Sequence, residues 1–478
     1  MSKNGTELSQ GSQVFRQSRI DNDLQWLTLS VSGVTGSLRN WSRTGIGFEM
    51  ARTGKSFRPG DKVANVKISS GDLEIYDGEI EIRTVKPIDT NLSFYGAALA
   101  SNLLLAEGVE AAKKVNTCFT EIESGRTMIE SAKPDFCQSV LSLTAALRKI
   151  QTACGEEEER WKKLPFDRRL EAERIFVPSM AKRVRDLLVA FNIRVGGQID
   201  VEKLPEDSVY HRIFHEEVFP FFAGADLARR AYEKPRGYAG DYEMMNQIYR
   251  DSFEGEDLFG KILHNYIANE NSSNSVKFRK PYFLRFYREL LELPGVHRVL
   301  SVACGPAVEY QEAVSTWVQG DLDRIHATLF DLDREALEHA QTKVLEAAMK
   351  HDKRPNATFI NASVKTFLTA HPEPGEIYDL IYSGGLFDYL DNTTSAALTR
   401  KLAERLGPTG TLVIGNFTKN NSTKAFCHLL TNWSLIHKTE EEIREWAKDI
   451  PGCTTRIEYD EAKINAFLVV RKTNIRRN

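Results

Sequence analysis

Four short segments decide the fold: RVLSVACGPAVEY (298–310), ATLFDLDREAL (327–337), ATFINASV (357–364) and YDLIYSGGLFDYL (378–390). Each has a brief apolar, β-branched run, then small or turn residues. Helical patterns separate the runs. Repeated βα units of this kind build a parallel sheet with helices on both faces. In such sheets ligands sit beyond the carboxyl ends of the strands, near the point where strand order reverses. Polar and acidic residues fall there: Asp331 and Asp333, then Asn361 and Ser363, then Ser383.

The loop Ala303-Cys304-Gly305-Pro306-Ala307 follows a strand and precedes a helix. Small residues let a ligand approach the backbone, and free amides at a helix start attract electron-rich groups. Asp331 closes the next strand, where a carboxylate can accept both hydroxyls of a ribose. The loop is not GxGxxG, so a nicotinamide or flavin site is not indicated. The pattern resembles the class I S-adenosylmethionine (SAM)-dependent methyltransferases over roughly the last 190 residues. The resemblance implies SAM as cofactor, with Ala303, Cys304 and Gly305 at its methionine end. It puts Asp331 on the ribose, Asn361, Ala362 and Ser363 beside the adenine, and Ser383 near the cofactor. These enzymes often carry an acidic residue where this chain has Ser301, so the contact to the cofactor's amino group is unassigned. Another nucleoside-binding α/β domain is the alternative.

The chain has 478 residues and a net charge of −3. That length suits two or three domains. The balanced charge argues against nucleic acid as the main partner. Six cysteines, at 118, 137, 154, 304, 427 and 453, form no CxxC or zinc ladder, so no metal is expected. They read as reduced thiols, which points to the cytoplasm. MSKNGTELSQ has no apolar core, so a signal peptide is not expected, and no run is long enough to span a membrane.

Residues 24–88 read as a small barrel of short strands punctuated by Gly33, Gly45, Gly60 and Gly71. Asn40-Trp41-Ser42-Arg43-Thr44-Gly45, followed by Gly47 and Phe48, fits [D/N]-x-S-x-x-G and resembles a PilZ domain, a barrel that often binds cyclic di-GMP. That family places an RxxxR pair before the barrel. Here Arg16-Gln17-Ser18-Arg19 is RxxR, a spacing that does not set two guanidiniums for a dinucleotide. A PilZ-like barrel that only packs on its neighbour or recognises protein is therefore expected ahead of one that binds cyclic di-GMP.

From Asn91 to about Glu292 the spacing is helical, as in ASNLLLAEGVEAAKKVNTCF (100–119) and PSMAKRVRDLLVAFNI (178–193). The acidic run 156–159 is placed between helices. KFRKPYFLRFYRE (277–289) reads as an amphipathic helix with its aromatics on the sheet and its arginines in solvent. His211 and His215 would share a helix face, without an evident third metal ligand. In KPRGYAGDYEMMN (234–246), two glycines flanked by Arg236, Tyr238, Asp241 and Tyr242 mark a functional loop.

That segment, with YSGGLFDYL, narrows the resemblance to the methyltransferases of extracellular-factor biosynthesis, which make 3-hydroxypalmitic acid methyl ester or related esters as cell-density (quorum-sensing) signals. It spans roughly residues 200–478. A carboxylate nucleophile is ionised at neutral pH and needs no general base. Arg236 is therefore expected to pair with the acid, with Tyr238 and Tyr242 donating hydrogen bonds, and Phe219, Phe221 and Phe222 to supply an acyl slot. The expected organisation is α/β overall: a PilZ-like barrel at 1–89, a helical region forming the substrate pocket and lid at 90–290, and a doubly wound Rossmann-like methyltransferase domain at 291–478. The competing readings are a methyltransferase of another small acid, of protein or of RNA, and a non-catalytic sensor of SAM or cyclic di-GMP.

Overall fold

A computed structural model describes residues 24–473 apart from 25–26, 43, 53–55, 71–72, 206, 370–375 and most of 101–130. Arg16 and Arg19, and nearly all of the helix expected at 100–119, lie outside the described residues. The chain divides into two compact units, Met1–Glu130 and Ser131–Asn478.

In the first unit β1 (Thr28–Val31), β2 (Val34–Ser42), β3 (Gly45–Ala51), β4 (Lys62–Ser70), β5 (Leu73–Pro87) and β6 (Leu92–Leu99) close a barrel in the order β1-β2-β3-β6-β5-β4. The pairs are antiparallel, and β1 against β4 completes the ring. Alternate residues turn inward, among them Leu29, Val31, Phe48, Ile68, Ile80 and Tyr95. Gly47 has a packing reason: a Cβ there would collide with Asn40 Oδ1 and Phe94. Two sequence expectations change. A boundary at residue 89 would cut off β6, which pairs with both β3 and β5. LSFYGAAL also alternates half-buried and buried residues over its first six positions, the two-residue period of a strand and not the helical one expected from Asn91 onward.

The second unit opens with long helices, Pro134–Trp161 and Phe166–Gln198, followed by shorter ones up to Asn271–Leu291. The acidic run 156–159 lies inside the first of these helices, not between helices. The sheet has the order β12-β13-β11-β10-β7-β8-β9, formed by β7 (His297–Val302), β8 (Ile325–Asp331), β9 (Asn356–Asn361), β10 (Tyr378–Ser383), β11 (Leu406–Phe417), β12 (Cys453–Tyr459) and β13 (Asn465–Lys472). Neighbours are parallel from β9 through β11, while β13 runs antiparallel to β11 and β12. This is the expected doubly wound, Rossmann-like α/β sheet. Val299, Leu329 and Leu380 enter one core, whereas Leu300, Phe330 and Ile381 enter the core on the opposite face. Each such fully buried side chain is worth about 1.5–3 kcal/mol.

Helix Asn271–Leu291 belongs to this sheet. Tyr282, Phe283, Phe286 and Tyr287 pack in its core, and Arg285 lies over Tyr282 and Phe286 while pairing with Glu458. The aromatics are placed as expected, and a boundary at 290–291 falls in the last turn of this helix.

Candidate functional site

Strand order reverses between β7 and β10, and a cleft of about 690 Å³ opens at their carboxyl ends. It is within the roughly 300–1,000 Å³ typical of ligand sites. Ala303, Gly305 and Ala307 all take left-handed backbone angles (φ 53°, 53° and 50°). Two of them are alanines, for which this conformation is strained, a feature that clusters at functional sites. Hydrogen bonds from Cys304 N to Phe330 O (3.1 Å) and Gly305 N to Asp331 Oδ2 (2.8 Å) hold the loop. A Cβ on Gly305 would meet nothing within 4 Å, so the backbone is open at that point.

Asp331 is buried, and its other oxygen accepts from Asp333 N (2.8 Å). Burial raises its pKa, which the two backbone amides oppose. A carboxylate has about four acceptor sites, so capacity remains for a diol. Glu309, which the sequence reading missed, enters the cleft from helix Val308–Thr316 and is buried. Tyr382 Oη donates to it at 2.6 Å. Burial pushes this carboxyl up as well, with Tyr382 acting against it.

The segment 234–241 forms one wall. Lys234, Gly237 and Gly240 have positive φ (47°, 82° and 77°), as its two-glycine pattern anticipates. Arg236 is committed: its guanidinium forks onto Asp333 (Nε to Oδ2, 2.5 Å), pairs with Glu335 and lies over the Tyr242 ring. Tyr238 Oη also donates to Asp333 (3.0 Å). Burial alone would raise Asp333, but Arg236, the Ala336 amide and Tyr238 outweigh it and hold the carboxyl below its usual range. On either side of these contacts the segment is latched by Lys234 Nζ to Asn432 O (2.8 Å) and Tyr389 Oη to Ala239 O (3.0 Å). Trp433 Nε1 donates to Tyr389 Oη (2.9 Å), and Trp433 packs so closely on Gly240 that a Cβ would sit 2.6 Å away.

Of the residues singled out from sequence, Arg236, Tyr238, Tyr242, Ala303, Cys304, Gly305, Asp331 and Ser363 all line the cleft. Asn361, Ala362 and Ser383 do not. Asn361 Nδ2 ties β9 to the carbonyls of Asp331 and Leu332, Ala362 packs on the core, and Ser383 is wholly buried with its Oγ unpartnered. Phe219, Phe221 and Phe222 do not line it either; Phe222 packs on Phe426 instead. Among the described residues no group of three or more His, Cys, Asp or Glu is arranged for a metal, and no helix is long and apolar enough to cross a membrane.

Arg279 is the second omission of the sequence reading. Expected to reach solvent from its amphipathic helix, it is instead 8% exposed and lines the cleft. Arginines on one helix divide between roles that only the packing around each one sets.

No family model matches the sequence, and no curated protein matches it. Solved structures with a similar chain path include a protein of Bordetella parapertussis described as a possible exported protein, with 18% identity, 63% of this chain and 97% of that one covered, and a TM-score of 0.43. A second is magnesium protoporphyrin IX methyltransferase of Synechocystis PCC 6803 with bound SAM, with 14% identity, coverage of 52% and 99%, and a TM-score of 0.34. A third is the N-methyltransferase NodS of Bradyrhizobium japonicum with S-adenosylhomocysteine, with 17% identity, coverage of 44% and 91%, and a TM-score of 0.28.

Proposed function

We propose that the chain is a SAM-dependent methyltransferase that esterifies the carboxyl of a 3-hydroxy fatty acid. The observation that carries this is the convergence, in one cleft at the strand ends, of the open 303–307 loop, Asp331, Ser363 and the latched segment 234–241. Asp331 would hold the ribose and Ala303, Cys304 and Gly305 the methionine end. Ser363 would flank the adenine. Glu309 supplies the carboxylate missing at Ser301: an ammonium group beside it would relieve the cost of keeping a buried carboxylate charged.

SAM, when bound, would supply a methyl on a cationic sulfur to a carboxylate oxygen, with a neutral thioether as the leaving group and no proton to move. The chain's own residues orient and exclude water. Orientation alone can be worth about 7–11 kcal/mol of barrier. Arg236, Tyr238 and Tyr242 close one wall. Because Arg236 is neutralised by Asp333 and Glu335, its part here is to fasten that wall and not to hold the acid.

For the N-terminal barrel we propose a PilZ-like domain, supported by Asn40 filling the space at Gly47, with cyclic di-GMP or a protein as its partner. The function is tested by incubating the purified chain with methyl-labelled SAM and 3-hydroxyhexadecanoate. Labelled methyl ester is expected. Absence of affinity for both SAM and S-adenosylhomocysteine overturns the reading.

A further inference from the structure

Three guanidiniums line the cleft: Arg236, Arg279 and Arg334. Arg236 is held by two carboxylates. Arg334 has a side chain 79% exposed and pairs with Glu338 at 2.7 Å. Arg279 differs from both. It rises from the middle of helix Asn271–Leu291, and its guanidinium lies 4.9 Å from the Phe417 ring centroid. Its Nη2 makes two long contacts, to Asp388 Oδ2 (3.3 Å) and Asn465 Oδ1 (3.2 Å). Its Nε is buried without any hydrogen-bond partner.

A guanidinium offers five donors in a rigid fork that matches a carboxylate. A buried donor left unused, as Nε is here, costs free energy. Its nearest carboxylate is already shared, since Asp388 Oδ1 accepts from Phe417 N at 2.6 Å. The backbone next to it is cleared as well. A Cβ on Gly385 would lie 2.9 Å from Arg279 Nη1, and one on Gly384 would lie 3.5 Å from its Cδ. Gly385 of YSGGLFDYL therefore makes room for this guanidinium.

Beyond it lies a second, smaller chamber of about 50 Å³. Val276, Phe417, Trp433 and Leu435 line both spaces. The chamber's far wall includes Ala231, Met244 and Ile248.

We propose that Arg279 anchors the carboxylate of the methyl acceptor, and that the acid's apolar body points past Phe417 and Leu435 toward this chamber. The acceptor class is thus an acid with an apolar tail. The inference rests on the cleft being the methyl-transfer site, but its binding test runs without turnover.

The full chain is titrated with dodecanoate and with dodecanol, each with and without S-adenosylhomocysteine. Dodecanoate binds more tightly than dodecanol. Arg279→Gln lowers the acid's affinity roughly ten- to hundred-fold, the loss expected for charge-assisted hydrogen bonds, and leaves the alcohol and S-adenosylhomocysteine within about two-fold. Gly385→Ala keeps the charge but displaces it, and lowers the acid alone in the same way, so a folding defect in the first variant does not decide the matter. Ala231→Phe, which fills the chamber, removes the advantage of dodecanoate over octanoate. Unchanged acid affinity in both Arg279→Gln and Gly385→Ala, or an equal loss for acid and alcohol, overturns the anchor. A chain-length preference that survives Ala231→Phe overturns the tail path. Loss of S-adenosylhomocysteine binding in the unaltered chain fells the cofactor reading separately, because acid binding is measured without it.

Discussion

Segment 234–241 and helix Asn271–Leu291 each bring an arginine to the same cleft, and the two arginines differ in what they have left to give. Arg236 sits in a conspicuous motif, yet two carboxylates consume its charge. Arg279 sits in what reads as an ordinary amphipathic helix, yet it is buried with an unused donor. Motif quality marks where a residue is constrained. Availability for a ligand depends on which groups already surround it.

Stability gives the largest test of that contrast. Arg279→Ala leaves Asp388 buried without the guanidinium that offsets its charge, a loss of about 3–5 kcal/mol. Arg236→Ala unpairs Asp333, which keeps its Tyr238 and backbone donors, and Glu335, which is 63% exposed, and loses about 1.5–3 kcal/mol. Denaturant unfolding of both variants checks the order; a greater loss for Arg236→Ala would break the comparison. A double-mutant cycle sharpens it next. Arg236→Ala with Asp333→Ala is expected to show a coupling of about 1.5–3 kcal/mol, with faster hydrogen exchange at 234–241, whereas Arg279→Ala with Asp333→Ala adds simply.

Acid separates the cleft wall at 234–241 from the helix beside the second chamber. His428, in helix Lys424–Thr431 beside the second chamber, is buried, and its pKa falls to about 4, chiefly through burial and then through His437. An unfolded imidazole titrates near 6.5, so its contribution is present above about pH 6.5 and lost as pH falls through about 4. The slope is at most about 1.4 kcal/mol per pH unit. The Arg236–Asp333 latch persists over the same window, because Asp333 is held below its usual range. Between pH 6.5 and 5, hydrogen-exchange protection corrected for the intrinsic rate should therefore fall at 424–431 before 234–241. His428→Gln should flatten that dependence.

Much of the architecture was legible because burial repeats locally. Val299 and Leu300, or Leu380 and Ile381, alternate between two cores as their apolar runs imply. The 303–307 loop and Asp331 were legible because small residues and an acid stood just past strands. β6 was missed because LSFYGAAL adjoins a helical pattern that masks its two-residue period. Glu309 was missed because a glutamate in the first turn of a helix commonly faces water, and only the packing of Tyr382 brings it inside. Asn361 and Ala362 were misplaced by proximity: following a strand does not fix which side of the turn faces the ligand.

The order of apolar and turn residues by itself determined the barrel, the doubly wound sheet and the strand end at which the cleft opens, since each depends on side-chain alternation within a few residues. Which charges inside the cleft remain free was decided only by the tertiary structure. Arg236 meets Asp333 across 97 positions of chain, and Arg279 meets Asp388 across 109. Electrostatic neutralisation acts through space at a few ångströms, and no local pattern encodes partners that distant.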